Sequence, residues 1–270
     1  MERFDCLREE LEARQARKSY AVVTIVQTDG STPRSSGKML VYEDGKSRGT
    51  VGGGAIEQLA RRDAASAIRR GANVLRSYDL KGERSDTGMT CGGQMTVFIE
   101  VCRAAPLLVV CGAGHVGGSL IRAAKPVGFD ILLVDDRPEE SIAEAVALAG
   151  RFLPVKDYEA ELKACPIEPG AFYVIATHGH ACDEDALAAA LTKEGAYVGM
   201  LGSRKKIGAL FARMRDRGFT DEQLSAVYTP IGLDLGGETP EEIAVSILSE
   251  ILMVKYGRGG GHLSRAIDPI

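Results

Sequence analysis

From residue 107 onwards, short apolar runs alternate with longer stretches of helical periodicity. The runs at residues 107–110 and 131–134 are apolar at every position, which is typical of strands buried on both faces of a parallel sheet. Strands that alternate with helices predict a doubly wound α/β fold. The predicted strands lie near residues 107–111, 131–135, 152–155, 172–177, 197–201 and 226–229.

Residues 1–104 show a different pattern, in which strand-like and helical segments are mixed. Helical spacing predicts helices over residues 3–18 and 55–70, the second ended by Gly71. Together they predict a small N-terminal α+β domain, with a boundary near residues 103–106. The predicted strands of this half are residues 21–26, 38–42, 74–80 and 94–101, and the predicted domains are 1–104 and 105–270.

One helix near the end of the chain has specific start signals. Thr239 is a capping residue, Pro240 occupies the first helical position and Glu242 the third. This combination predicts a helix that begins at Pro240 and runs to about Tyr256.

A glycine-rich turn follows the first predicted strand of the second domain. Gly112, Gly114 and Gly117 have the G-x-G-x-x-G spacing, and Asp135 ends the next predicted strand. In this context the glycines permit a tight turn, close approach of amides to a pyrophosphate, and helix packing. The pattern predicts a Rossmann-like domain with an anionic, phosphate-bearing ligand; the alternative is a turn kept only for packing. The predicted contacts are Gly112, Gly114, His115, Val116 and Gly117.

Ligands of parallel sheets gather at the carboxyl ends of the strands, where further polar residues stand. Asp135 is placed to bind a ribose 2′-hydroxyl, which favours NAD over NADP, although the neighbouring Arg137 weakens that preference. Ser203 and Arg204 begin a predicted helix whose first turn also holds two lysines. Three cations there oppose the macrodipole by up to about 1 kcal/mol each, which indicates anion binding. The alternative for the lysines is that they extend into water.

A histidine-rich turn follows the strand predicted at 172–177. His178 and His180 lie close to Asp183 and Asp185, which are residue types that bind metals. No i, i+4 spacing places the two histidines on one helix face, so we assign no metal here. We expect Thr177 and His178 to contact a ligand instead, with Asp183 near the start of the next helix.

The N-terminal half supplies three polar or glycine-rich turns of its own. They expose backbone amides that suit an anion or a flat, hydrogen-bonding ring, and Arg34 can neutralise a phosphate. Glu57 is either a cofactor contact or a favourable charge in the first turn of its helix. Cys91 lies in a polar glycine loop, which makes it the candidate reactive thiol; the alternative is an inert buried cysteine. The predicted binding residues are Arg34, Gly52, Gly53, Gly54, Glu57, Gly92 and Gly93.

Composition excludes several classes of function. The chain has 270 residues, 45% hydrophobic and 26% charged, with a net charge of −4, so it offers nucleic acid little attraction. We find neither a signal peptide nor an apolar stretch long enough to cross a bilayer, and we expect a cytoplasmic protein. The six cysteines lack C-x-x-C spacing, which favours reduced thiols over disulfides or a zinc knuckle.

Taken together, these motifs resemble the xanthine dehydrogenase accessory family of the XdhC/CoxI type. The resemblance extends over nearly the whole chain, in the expected order. The matching segments are residues 50–57 (TVGGGAIE), 91–93 (CGG), 112–117 (GAGHVG), 134–137 (VDDR), 177–178 (TH), 202–206 (GSRKK), 230–234 (PIGLD) and 243–247 (IAVSI).

The resemblance implies a chaperone of the molybdenum cofactor. Such a protein holds molybdopterin while a cysteine desulfurase-type partner adds the terminal sulfur, and then passes the cofactor to a molybdenum hydroxylase such as xanthine dehydrogenase. CoxI-like members usually carry cysteine where this chain has Ala55, which leaves Cys91 as the main thiol candidate. The Rossmann-like domain is expected to bind NAD(P) or another adenine nucleotide.

Three functions therefore remain in competition. In the first, turns of both domains jointly hold an anionic heterocycle as cargo. The second is an NAD(P)-dependent oxidoreductase with His178 or His180 as proton donor and Ser203 and Arg204 binding an anionic substrate. The third is a nucleotide-sensing regulator. We favour the chaperone over a catalyst and expect a homodimer.

Overall fold

Residues 4–80 and 92–265 are described by a computed structural model of the chain. The chain divides into two units, Met1–Ala104 and Ala105–Ile270. Each unit has its own five-stranded sheet with buried apolar residues on both faces. The predicted fold class, an α+β unit followed by a Rossmann-like parallel sheet, is confirmed.

The first unit is an antiparallel sheet with one helix on each face. Its elements are α1 (Cys6–Gln15), β1 (Tyr20–Asp29), β2 (Lys38–Tyr42), β3 (Ser47–Thr50), α2 (Gly54–Arg70), β4 (Val74–Asp79) and β5 (Gln94–Cys102). The strand order is β3-β2-β1-β5-β4. Because successive side chains of a strand point to opposite faces, Val23 packs with the residues that α2 buries while Val22 packs with Ala13 of α1.

The second unit is a parallel sheet covered by helices on both faces. Its strands are β6 (Leu107–Cys111), β7 (Asp130–Asp135), β8 (Phe152–Pro154), β9 (Phe172–Ile175) and β10 (Tyr197–Met200). Its helices are α3 (His115–Ala124), α4 (Ala143–Ala149), α5 (Tyr158–Ala164), α6 (His180–Leu191), α7 (Arg204–Asp216), α8 (Asp221–Ser225) and α9 (Pro240–Tyr256), with short 3-10 turns at Glu139–Ile142 and Leu263–Arg265.

The strand order of the second unit, β10-β9-β6-β7-β8, places a switch point between β6 and β9. From β6 the chain builds β7 and β8 on one side, and it then crosses to β9 and β10 on the other. In open α/β sheets, ligands bind outside the carboxyl ends of the strands at this point. The carboxyl end of β6 is followed directly by the turn at residues 112–114.

Two predictions about elements have different outcomes. The helix predicted from Thr239 is confirmed: Thr239 and Glu242 form a reciprocal capping box, and α9 spans Pro240–Tyr256. The sixth strand predicted near 226–229 is wrong, because only an isolated parallel bridge joins Tyr228 to Gly199. Pro230 follows at once and has no N–H with which to continue a ladder.

Candidate functional site

The turn between β6 and α3 is held by close backbone contacts. A Cβ at Gly112, whose φ is 105°, would lie 2.3 Å from the carbonyl oxygen of Ala176. A Cβ at Gly117 would lie 1.9 Å from the carbonyl oxygen of Gly112. Gly114 differs, because its φ is −65° and a Cβ there would meet nothing within 4 Å. The fold therefore requires glycine at 112 and 117, whereas the small residue at 114 keeps the backbone accessible.

The N-terminus of α3 carries no negative group of its own. Its first turn holds no acid, and its N-cap, Gly114, has no side chain with which to cap. His115 is exposed, while Val116 packs against the core below. The first amides of a helix lack intrahelical partners and lie at the positive end of its dipole, so this end has the electrostatics of an anion site.

Asp135, at the end of β7, is 1% exposed and braces this turn. Its Oδ2 accepts hydrogen bonds from the Ala113 amide at 2.6 Å and from Arg137 Nη2 at 2.7 Å. Its Oδ1 accepts from the amide and the Nε of Arg137, at 3.0 and 2.8 Å. A carboxylate has about four lone-pair sites, and four donors already occupy them. The ribose contact proposed for Asp135 thus remains a prediction, and it would have to displace a donor of the protein.

The environment of Asp135 also sets its charge. Burial acts to raise the pKa of this carboxyl, but the hydrogen bonds from Arg137 and from the Ala113 amide outweigh burial and hold the pKa below its ordinary value. The Arg137 guanidinium, which binds this carboxylate, is partly open to solvent, since the Arg137 side chain is 35% exposed. Arg137 can therefore face a ligand while Asp135 cannot readily do so.

The loop after β9 is fixed by an internal clamp. Asp183 Oδ1, in the first turn of α6, accepts from the Thr177 hydroxyl at 2.6 Å and from the Thr177 amide at 3.2 Å. Asp185 pairs instead with Arg217 at 3.2 Å. These two carboxylates therefore have structural partners, and neither belongs to the group formed by His178.

His178 lies in a different group, together with Asp136 and Cys182. One ligand atom from each of these three side chains can be chosen so that all lie within 4.8 Å of one another. His178 Nδ1 is 3.5 Å from Asp136 Oδ1, which also accepts a 3.4 Å hydrogen bond from the Tyr158 hydroxyl. Burial raises the pKa of the Cys182 thiol, and neighbouring carboxylates, led by Asp136, raise it further.

The helix α7 begins at the carboxyl end of β10 with three exposed cations, as the sequence indicated. Ser203 is its N-cap, but its side chain accepts no hydrogen bond from the helix amides, and no acid lies in the first turn. Arg204 and the two lysines after it form no ion pair among the residues that the structure describes. The cationic first turn therefore remains available to an anion.

The parallel sheet brings these groups to one edge. Because β6 lies between β9 and β7, the turn at residues 112–117 stands between the Thr177 loop and Asp135. Ser203 follows the next strand outward, β10. The predicted residues of the second unit thus share the edge where parallel sheets bind ligands.

The first unit likewise gathers its three loops at one end of its sheet. Antiparallel pairing puts the end of β1, the start of β2, the end of β3 and the start of β5 together. A Cβ at Gly52 would lie 3.3 Å from Pro33, and one at Gly30 would lie 3.1 Å from Gly92. Arg34, in the first of these loops, is exposed and forms no ion pair with any described residue. We call this end of the sheet the loop edge.

Glu57 supplies the loop edge with an internal acceptor. Its Oε2 accepts from the Thr50 hydroxyl at 2.6 Å and from the Gly53 amide at 3.1 Å, and Arg61 lies 3.6 Å from its Oε1. Gly53 has φ 74° and ψ −179°, a conformation that is nearly restricted to glycine. The carboxylate therefore holds the turn, which is a structural role, and its contact with a cofactor remains a prediction.

Gly92 and Gly93 close the β4–β5 connection. The Gly92 amide donates to the carbonyl oxygen of Leu80, and the Leu80 amide donates to the carbonyl oxygen of Gly93. A Cβ at Gly93 would lie 2.4 Å from the Ser31 carbonyl oxygen, so close packing requires this glycine. Cys91, the predicted reactive thiol, lies outside the described residues.

Two functional candidates were missed by the sequence reasoning. They are Asp136, which is not among the predicted binding residues although it adjoins Asp135, and Cys182, which the sequence predicts only to be a reduced thiol. The signal for Asp136 was available, because polar residues directly after a buried strand lie at the ligand edge. The signal for Cys182 was weaker, since only its place in the first turn of the following helix separated it from a core cysteine.

These features define a Rossmann-type α/β protein with a separate antiparallel α+β unit. Within the described residues, no helix is long and apolar enough to span a membrane. Residues 108–251 match the family described as the XdhC Rossmann domain, and residues 13–79 match the XdhC and CoxI family. The chain belongs to this accessory family, and the predicted resemblance is confirmed.

Three relatives carry informative names. An uncharacterized protein of Escherichia coli, YqeB, is 35% identical over 93% of this chain and 46% of its own length. A probable xanthine dehydrogenase component of Bacillus subtilis is 28% identical over 59% of this chain and 46% of its own. The molybdenum cofactor insertion chaperone PaoD of E. coli is 24% identical over 92% of this chain and 87% of its own. The chain spans about half the length of the first two relatives.

A solved structure supports the fold. A protein of Bacillus halodurans, described as a xanthine dehydrogenase, aligns with a TM-score of 0.51 at 21% identity, over 93% of this chain and 96% of its own. At this identity the likeness concerns the fold alone.

Proposed function

We propose that this protein binds the molybdenum cofactor and supports its sulfuration and its insertion into a xanthine dehydrogenase-type molybdenum hydroxylase. Membership of the XdhC and CoxI family supports the proposal, as does the similarity to an insertion chaperone over most of both chains. The client hydroxylase and a cysteine desulfurase-type sulfur donor are its proposed partners, and Cys91 is the proposed thiol.

The observation that carries the proposal is the convergence of three loops at the loop edge of the first unit. The amides of Gly54 and Ala55 begin α2 and have no intrahelical partners. Arg34 supplies a guanidinium that can bind a phosphate in a bidentate manner. Helix N-terminal amides and an exposed guanidinium at the same loop edge suit a pterin, whose ring is rich in hydrogen-bonding groups and whose side chain ends in a phosphate.

A matched pair of glycines tests this site. Gly53 and Gly45 have φ values of 74° and 81°, and a Cβ at either would meet nothing within 4 Å. Alanine is strained at both, by roughly 1 kcal/mol or more, and the strain is larger at Gly53, whose φ and ψ are nearly restricted to glycine. Gly53 lies at the loop edge, whereas Gly45 lies in the β2–β3 hairpin at the opposite end of the sheet.

The full chain is incubated with molybdopterin, and retained pterin is measured by fluorescence after gel filtration. We expect Gly53→Ala to lower retention at least tenfold, Arg34→Gln to lower it by about tenfold or more, and Gly45→Ala to leave it unchanged. Equal retention by all three variants, or no retention by the wild-type chain, contradicts the proposed site.

Sulfuration needs a separate measurement, because the retention assay measures bound molybdopterin and does not detect the transfer of a sulfur atom to it. Cys91→Ser is expected to retain molybdopterin but to fail in raising the activity of a client hydroxylase reconstituted with a desulfurase. Cys165→Ser serves as the control cysteine. Equal activation by both variants removes the thiol from the proposal. Self-association as a homodimer, measured by sedimentation, is a further expectation.

One observation favours a second function, an NAD(P)-dependent oxidoreductase. The exposed His178 imidazole contacts a carboxylate at a strand end, which is a suitable arrangement for a proton donor. Turnover of NADH or NADPH with a panel of small carbonyl compounds tests it. Loss of turnover in His178→Gln supports this function, and nucleotide binding without turnover removes it.

A further inference from the structure

Three potential metal ligands of different chemical types meet at the carboxyl edge of the second unit. They are a carboxylate (Asp136), an imidazole (His178) and a thiol (Cys182), with one ligand atom of each within 4.8 Å of the others. Each comes from a different segment: Asp136 directly follows β7, His178 lies in the loop after β9, and Cys182 stands in the first turn of α6. Asp136 follows a different strand from the other two residues, and the topology of the sheet brings it close to His178 and Cys182.

Hydrogen bonds from neighbouring residues hold the segments that carry these three ligands. Asp135 locks the chain directly before Asp136 through its four hydrogen bonds. The contacts of Thr177 with Asp183 fix the loop that carries His178 to the helix that carries Cys182. The Tyr158 hydroxyl donates to Asp136 Oδ1 from a second side. A metal site depends on such surrounding hydrogen bonds, because they orient the ligands before the ion arrives.

The local charge favours a cation. Among the described residues, the Asp136 carboxylate lies 3.5 Å from the His178 imidazole and forms no ion pair with a lysine or arginine. The guanidinium groups of Arg137 and Arg217 pair with Asp135 and with acids on α5 and α6, and Arg137 attracts Asp136 only at longer range. The Asp136 carboxylate is therefore in direct contact with no lysine or arginine of the described residues.

We propose that Asp136, His178 and Cys182 bind one divalent cation of the zinc type. Sulfur, nitrogen and oxygen ligands together suit Zn²⁺, which takes four ligands in a tetrahedral arrangement. Three protein ligands leave one position open. The His178 side chain is 59% exposed and that of Asp136 is 27% exposed, so water or a bound ligand can reach the ion. Binding releases the thiol proton of Cys182 to solvent.

An ion at this place would lie close to the candidate anion site at the start of α3 and could contact the same ligand. The glycine turn and the first turn of α3 lie on β6, between the strands that carry Asp136 and His178. A cation with an open coordination position beside that turn can take an oxygen of a phosphate as its fourth ligand. The proposal is independent of the identity of the cargo of the first unit.

Cobalt(II) provides the direct test, because it replaces zinc and reports its ligands by absorption. The full chain is treated with a chelator, dialysed and titrated with Co²⁺. We expect one equivalent to bind with visible bands of tetrahedral Co²⁺ and a near-ultraviolet sulfur-to-metal charge-transfer band. Zn²⁺ should displace Co²⁺, so that the absorption bands disappear. Zn²⁺ should also protect Cys182 from alkylation, as measured by peptide mass spectrometry.

Variants assign the ligands. Cys182→Ser should lose the charge-transfer band, and His178→Gln and Asp136→Asn should each weaken Co²⁺ binding by at least about tenfold. Tyr158→Phe should weaken it less. Cys165→Ser is the control cysteine that should leave the spectrum unchanged, and circular dichroism verifies that each variant is folded. A spectrum without the sulfur band, a band that survives in Cys182→Ser, or no stoichiometric binding overturns the proposal.

Discussion

The two units each place a glycine-rich turn before a helix, and the two turns satisfy their amides differently. In the first unit, Glu57 of α2 reaches back to accept the Gly53 amide, so the turn contains its own anion. In the second unit, the first turn of α3 has no acid and no capping side chain. Its support comes from outside the helix, from Asp135 on the neighbouring strand, which accepts the Ala113 amide.

This difference separates two uses of glycine that look alike in a sequence. A turn that holds its own carboxylate is satisfied without a ligand, and an added anion would meet the charge of Glu57. A turn braced from the neighbouring strand keeps the amides of its helix for an external anion. We therefore expect phosphate groups to prefer the turn of the second unit and Arg34 in the first, and not the amides near Glu57.

The largest expected effect is at Gly117. Alanine there would place Cβ 1.9 Å from the Gly112 carbonyl oxygen. Because the backbone fixes the positions of both atoms, we expect the free energy of unfolding of the second unit to fall by about 3 kcal/mol. Urea denaturation measures it. Gly118→Ala is the control in the same helix: a Cβ there meets nothing within 4 Å, and alanine should stabilise by up to about 1 kcal/mol. Similar effects of both variants would contradict the packing of this turn.

Asp135→Asn is expected to lower the free energy of unfolding by about 2 kcal/mol near neutral pH, because the asparagine side chain cannot accept all four hydrogen bonds that reach the carboxylate. The folded-state pKa of Asp135 lies below its unfolded value, so its stabilisation is complete above about pH 4 and is lost as the pH falls through the lower, folded pKa. The free energy of unfolding should therefore differ between wild type and variant at about pH 6, and the difference should shrink as the pH falls below about 4 and through the folded pKa. A difference that does not depend on pH would show that the carboxylate charge is not involved.

Glu57→Ala should cost the first unit about 1–2 kcal/mol, because the Gly53 amide and the Thr50 hydroxyl lose their acceptor. Glu57→Gln keeps an acceptor oxygen and should cost less than half as much. Thermal unfolding of both variants measures the difference. If the two cost the same, the negative charge near the helix dipole matters more than the hydrogen bonds.

Gly114→Ala should have the smallest effect on stability, at most about 1 kcal/mol, because its φ is ordinary and a Cβ there is free of contacts. If an adenine nucleotide binds at this turn, its affinity in calorimetry with NAD or AMP should fall at least tenfold, because the Cβ obstructs the approach of a pyrophosphate to the amides. Unchanged affinity would place the nucleotide elsewhere. Absence of binding to the wild-type chain would mean that the turn serves packing alone.

Most elements could be predicted from the sequence, because their signals are local. The capping box of α9 needs only Thr239, Pro240 and Glu242, and it forms as expected. The apolar runs of β6 and β7 likewise give strands at Leu107–Cys111 and Asp130–Asp135. The strand expected near 226–229 failed for a reason beyond its composition. Its pairing with β10 amounts to a single bridge, because Pro230 has no N–H with which to continue the ladder and Ile231 donates to Met200 instead.

The candidate site was predictable in part. The glycine turn, the cations at residues 204–206 and the strand-end loop could all be predicted, because parallel sheets put such residues at one edge. The partners of those residues were not recognised. Asp183 was grouped with His178 by proximity in the chain, yet it bonds Thr177, while Asp136, from the end of another strand, meets His178.

The sequence by itself therefore determined most of the elements, the order in which they follow one another, and the family. Each of these depends on periodicity or on motifs that extend over a few residues. Only the tertiary structure decided that Arg137 and Ala113 occupy the oxygens of Asp135 and that Asp136, His178 and Cys182 form one group. Such contacts depend on which strands are neighbours and on where each helix begins, so no local pattern encodes them.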